Sequence, residues 1–258
     1  MWRRESDVAI VLKSKSEVEI MRRGGQIVAE ILDTIRDELR DGVSTLAIDK
    51  IADSMVAKRG AIASFKGLYS FPASICISIN EEIVHGIPSA KRLLHEGDIV
   101  SLDFGALYQG YHADSAVTLP VGKVSDEARR LLECTEKALE KGIAQARHGN
   151  RLGDIGWAIE SYGTAKGYGI VRQYVGHGVG QKLHEEPQVP NFGKPQRGAL
   201  LRSGMSLAIE PMFNVGTEKT AVLADNWTVV TEDRKLSAHF EHTIIVTDDE
   251  PLVLTRRE

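Results

Sequence analysis

Apolar side chains recur at helical spacing between residues 16 and 41, at Val28, Ile31, Leu32, Ile35 and Leu39, and predict an amphipathic helix closed by Gly42. A second helix is expected from Ser44 to Arg59, with Ile48, Ile51, Ala52 and Met55 on one face and Gly60 at its C-cap. The period then changes to two. The runs "ASICISI", "DIVSLDF" and "YHADSAVTL" read as strands punctuated by Gly, Pro and Asn. The order repeats: Ser125 to Ala146 and Leu152 to Lys166 carry helical patterns, and strand-like segments follow from Ile170 to the C-terminus. A shift of 107 residues carries Gly42 onto Gly149, Ile48 onto Ile155 and Gly60 onto Gly167. Two rounds of helix, helix and strands, with no Pro- or Ser-rich linker between them, predict one α+β domain over 1–258, with pseudosymmetric halves at about 16–120 and 125–248.

Within this pattern, acids stand where strands ought to be apolar. In "SLDFGALYQGYHADSAVTLP" a hairpin turn centred between Tyr108 and Gln109 is expected to set Asp103 opposite Asp114, and facing like charges are destabilising. Alternation sends Val100, Leu102 and Phe104 to one face and Asp103 to the other, and puts Asp114 with Ala116 and Thr118. The same shift of 107 carries Asp103 onto Glu210 in "SLAIEPMF"; Glu241 lies in "SAHFEHTIIV", and His177 and His184 in a glycine-rich run. Taken singly, each has an ordinary explanation: a turn aspartate, a loop histidine, a glutamate closing a strand or paired on an edge. Taken together, four partly buried carboxylates would push one another's pKa values up unless cations compensate them. Two divalent ions would balance a charge of about −4, and an oxygen-rich set with one imidazole leans toward Mn, Fe or Co, with Zn or Ni as alternatives. Such a pair can acidify a water and clamp a hydrolytic transition state.

Composition narrows the partners. The chain has 258 residues, a formal net charge of −4, 42% hydrophobic and 26% charged residues, and a pI near 6.1. It therefore lacks the basic footprint of a general nucleic-acid binder and fits small or peptide-like partners. Cys76 and Cys134 stand in unlike contexts and predict no disulfide, which fits a reducing compartment. The apolar run from Val8 to Leu12 is too short for a signal core or a membrane span, so a cytoplasmic protein is expected.

In order, "NEEIVHGIP", "LDFGALYQGYHADSAVT", "GHGVGQKLHEEPQVPN", "IEPMF" and "FEHTIIV" resemble the bacterial type I methionine aminopeptidases of the M24 metallopeptidases, over nearly the whole chain. The resemblance implies a pita-bread (creatinase/aminopeptidase) fold, a pseudo-twofold curved antiparallel sheet backed by helices, around two divalent metal ions. It implies Asp103, Asp114, His177, Glu210 and Glu241 as ligands, with Asp103 and Glu241 bridging both ions. His85 and His184 would contact substrate and stabilise the tetrahedral intermediate, and Glu210 would pass a proton from the bridging water, whose hydroxide attacks the carbonyl, to the leaving amine. Phe65, Leu68, Phe71, Cys76, His85, Leu183 and Trp227 would line the methionine pocket, with His184 beside it. The family often carries aromatic residues at the positions of Leu68 and Leu183, and glycine at that of Ser70.

The implied activity is removal of the initiator methionine before a small second residue. The substrates would be the N-terminal segments of nascent polypeptides, near the ribosomal exit tunnel, and the enzyme a monomer. The chain's own Met1-Trp2 start would then keep its methionine. Two other readings are a prolidase or proline aminopeptidase, whose usual additional N-terminal domain has no room here, and a silent binding module of the same fold, which would have lost ligands that this sequence retains.

Overall fold

The computed structural model describes residues 10–256, so Met1, Trp2 and the start of the Val8–Leu12 run lie outside the described residues. Helix α1, Lys15–Glu38, begins with a capping box in which Ser14 and Glu17 satisfy each other's backbone N–H groups. It ends three residues short of the expected limit, because Leu39 turns into extended backbone at the C-cap and Gly42 belongs to the following turn. Helix α2 spans Thr45–Lys58, capped by Ser44. Helices α3, Asp126–Gln145, and α4, Leu152–Ala165, repeat the arrangement.

The strands are β1 Ile62–Ala63, β2 Cys76–Ile79, β3 Glu82–Val84, β4 Ile99–Tyr108, β5 Tyr111–Pro120, β6 Gly169–Ile170, β7 Gly176–Gly178, β8 Glu185–Val189, β9 Ser206–Ile209, β10 Met212–Asn214, β11 Thr220–Val222, β12 Val229–Thr231, β13 Ser237–His239, β14 Glu241–Ile245 and β15 Leu252–Val253. Their main sheet is antiparallel, in the order β1-β4-β5-β14-β9-β7-β8, with β2 added on β4 and β15 on β14. Two three-stranded sheets, β13-β10-β6 and β11-β12-β3, flank it.

Each half builds its own core. Val28, Ile31 and Ile35 of α1 and Ile48 and Ala52 of α2 pack with Val100, Leu102 and Phe104 of β4. Leu131 of α3 and Ile155 and Ile159 of α4 pack with Leu207, Ile209, Phe213 and Ile244. The shift of 107 carries α2 onto α4 and β1 onto β6. It also carries the isolated bridge Ser44–Leu93 onto Arg151–Leu200, and the bond from Gly42 N to Leu94 O onto that from Gly149 N to Leu201 O. With the helices burying one face of the main sheet, Ser101 and Asp103 point to the other.

The β4–β5 hairpin corrects the expected register. Tyr108 pairs with Tyr111, so the turn residues are Gln109 and Gly110, at φ 47° and 85°. A two-residue turn with both φ values positive is the one whose twist suits a hairpin, and glycine adopts it without strain. Consequently Asp103 faces Ala116 and Asp114 faces Gly105, and the two acids are diagonal neighbours on one face. This staggering relieves part of the direct opposition.

Candidate metal centre

Two rungs of the main sheet, neighbours on the same face, gather the acids. The first runs Cys76, Asp103, Ala116, Glu241 across β2, β4, β5 and β14. Its continuation is Glu210, which follows Ile209, the partner of His242. The second rung contains Gly105 and Asp114, and then Thr243, Ala208 and His177. The Thr243 hydroxyl joins the two parts, accepting from Asp114 N at 2.9 Å and donating to Asp114 O at 2.8 Å. Small residues at 105, 116 and 208 leave room between the acids. At Gly105 a Cβ would come within 3.0 Å of Ser64.

Ligand atoms of Asp114, His177 and Glu241 lie within 4.8 Å of one another. Glu210 Oε1 is 3.8 Å from His177 Nε2, and its Oε2 is 3.5 Å from His239 Nε2. His177 Nδ1 donates to Gly178 O at 2.8 Å, which fixes the tautomer and turns the Nε2 lone pair toward the carboxylates.

The electrostatics call for cations. Burial, then the charges of Asp114 and Glu210, drives the Asp103 carboxyl well above its ordinary range. Burial and Glu210 lift Asp114 to about 7, and burial lifts Glu210 to about 8. Glu241 is raised well above its usual value by burial and then by the other three acids. His177 is pushed down to about 4, chiefly by burial, and is a neutral donor at physiological pH. Asp103 Oδ1, Asp114 Oδ1 and Glu241 Oε1 are buried without hydrogen-bond partners. Among the described residues no lysine or arginine forms an ion pair with any of the four acids. Oxygen donors left bare, with an oriented imidazole, fit divalent cations.

The acids floor a cavity of about 740 Å³, which is also lined by Phe65, Leu68, Phe71, Cys76, His85, Leu183, His184 and Trp227. The five expected ligands and the eight residues expected around the methionine side chain therefore line one cavity. Phe65, Phe71, Cys76 and Leu183 form a small apolar cluster with Leu68 and Trp227 packed against it. Phe71 meets Trp227 edge-on at 5.1 Å, and His85 stands edge-on to Tyr174 at 5.7 Å. Burial, with His239 and His184 nearby, lowers His85 to about 4, and burial lowers His184. Burial raises the Cys76 thiol well above its ordinary value, so it packs as an uncharged group.

Tyr69 and Tyr174 line the cavity and His239 borders Glu210, although none was singled out from the sequence. Strand alternation carries a signal for His239, two residues before Glu241, while the tyrosines carry none. Ser70 lies at φ 72°, the left-handed region, where glycine is the unstrained choice.

Bare carboxylate oxygens and one oriented imidazole on the floor of a cavity are the donor set of a metalloenzyme. Residues 19–248 match the model of metallopeptidase family M24, and the chain belongs to that family. Its fold is the α+β pita-bread arrangement. The chain is 51% identical over 247 residues to methionine aminopeptidase 1 of Bacillus subtilis, covering 96% of this chain and 99% of the relative. It is 49% identical over 246 residues to the methionine aminopeptidase of Clostridium acetobutylicum, covering 95% and 98%. The crystal structure of methionine aminopeptidase from Thermotoga maritima superposes with a TM-score of 0.95 at 41% identity, covering 97% of this chain and all of that one. A prolidase from Pyrococcus horikoshii, at 24% identity and TM-score 0.77, shares the fold.

Proposed function

We propose that this chain is a metal-dependent methionyl aminopeptidase that removes an N-terminal methionine when the second residue is small. The observation that carries the reading is the adjacency of a bare carboxylate nest and an apolar pocket within one cavity. Asp103, Asp114, His177, Glu210 and Glu241 are the residues that would hold two divalent ions. The chemistry supplied there is Lewis acidity, which lowers the pKa of a water and polarises a carbonyl. The oxygen-rich donor set favours Mn, Fe or Co.

The chain's own groups do the rest. The cluster of Phe65, Phe71, Cys76, Leu183, Leu68 and Trp227 excludes water and receives the thioether side chain. His85 and His184, held neutral, offer ring N–H donors to the carbonyl oxygen that gains charge. Glu210, between two imidazoles, is assigned the transfer of a proton to the departing amine. His85 and Tyr174, edge-on to each other in the cavity wall, are the residues assigned to disfavouring a bulky second residue.

Because methionine at an N-terminus is the mark of a newly translated chain, nascent polypeptides are the proposed substrates, and with them we propose a monomeric enzyme of the cytoplasm that acts near the ribosomal exit. The repeated helix and turn geometry supports one domain of two related halves. The test is hydrolysis by chelator-stripped protein reloaded with Mn, Fe or Co. Metal-dependent release of methionine from Met-Ala-Ser, with little from Met-Trp-Ser, is expected; cleavage of Ala-Pro-Ser instead would assign the chain to proline-specific chemistry.

A further inference from the structure

His239 stands beside the carboxylate nest with no assigned task. It closes β13, where it pairs with Met212 of β10, just beyond Glu210 and Pro211. Its backbone is fixed: His239 N donates to Thr118 Oγ1 at 2.8 Å, and the same hydroxyl donates to His239 O at 2.8 Å. The ring is not. The residue is 1% exposed, and neither Nδ1 nor Nε2 has a hydrogen-bond partner. Buried polar groups are rarely left so without a function.

The partner is set by elimination around Glu210. His177 gives its only ring proton to Gly178 O, so its Nε2 faces Glu210 Oε1 as an acceptor and cannot donate to it. Among the described residues the remaining ring nitrogen facing this carboxylate is His239 Nε2, 3.5 Å from Oε2. We infer that His239 is a positioning residue: its Nε2–H donates to Glu210 Oε2 and holds the other oxygen, Oε1, toward the metal centre. The inference rests on the reading of Glu210 as a ligand. A neutral donor suits this place, since a cation there would compete with the ions for the carboxylate.

Calorimetric titration of Mn into chelator-stripped wild type, His239→Gln, His239→Leu and Glu210→Ala tests it. Leu removes the donor and should weaken Mn affinity about 10–100-fold, whereas Gln, whose amide N–H reaches the same point, should retain most of it. Equal affinity for Leu and wild type, or a loss with Gln as large as with Leu, overturns the inference. Undiminished Mn binding by Glu210→Ala would instead overturn the ligand reading beneath it. Should the Leu variant fail to fold, ring nitrogen NMR of zinc-loaded wild type decides: an Nε2–H tautomer at His239 supports the donor role, and an Nδ1–H tautomer contradicts it.

Discussion

At the scale of single residues, the centre trades stability for chemistry. Asp103 Oδ1 is buried and unpartnered beside Asp114, and Glu210 and Glu241 add to the same field. Without cations, each of these groups is better off neutral. Asp103→Asn should therefore raise the stability of metal-free protein at pH 8 by about 1 kcal/mol, while abolishing most of the stabilisation that added Mn gives wild type. Thermal unfolding with and without Mn measures both effects, and a destabilised metal-free variant would count against the electrostatic account. Asp103, Asp114 and Glu241 were legible in the sequence because an acid in a period-two apolar run is an anomaly that needs a cause. Tyr69 and Tyr174 were not, since an aromatic residue near a turn breaks no local rule.

At the scale of elements, the start of α1 is tied to the hairpin that carries two of the acids. Glu17 Oε2 accepts from Ser14 N at 2.7 Å and from Ser14 Oγ at 2.6 Å, while Tyr111 OH donates to Oε1 at 2.6 Å. These bonds, Ser14 first and Tyr111 next, hold the Glu17 carboxyl down to about 2. A depressed carboxylate stabilises the fold above its unfolded value near 4.5, and that contribution disappears as pH falls toward 2. Because the group is only half-buried and is screened by solvent, Glu17→Gln should cost only about 0.5 kcal/mol at pH 7. The difference from wild type should shrink to nothing near pH 2, and denaturant unfolding across that range checks it; a gap that widens in acid would contradict the assignment. The helices themselves were readable from apolar spacing, because capping and amphipathicity are local. Hairpin register was not: it depends on which pair of residues takes positive φ, and reading the turn one residue early misplaced the partner of Asp103 by two positions.

At the scale of the whole molecule, two halves with separate cores bring their polar strand faces to one floor. The shift of 107 residues was visible in the sequence through glycines and isoleucines, and the same shift relates helices, bridges and turn hydrogen bonds in the fold. Contacts that cross between distant segments left no such trace. The bond from Lys13 Nζ to Glu185 Oε2, at 2.7 Å, and the approach of His239 to Glu210 exist only once the strands are assembled. Whether this floor holds two divalent ions is decided by anomalous diffraction from crystals grown with Mn. Two Mn peaks are expected among Asp103, Asp114, His177, Glu210 and Glu241, whereas no peak, or a single peak at saturating Mn, would rule out a dinuclear centre.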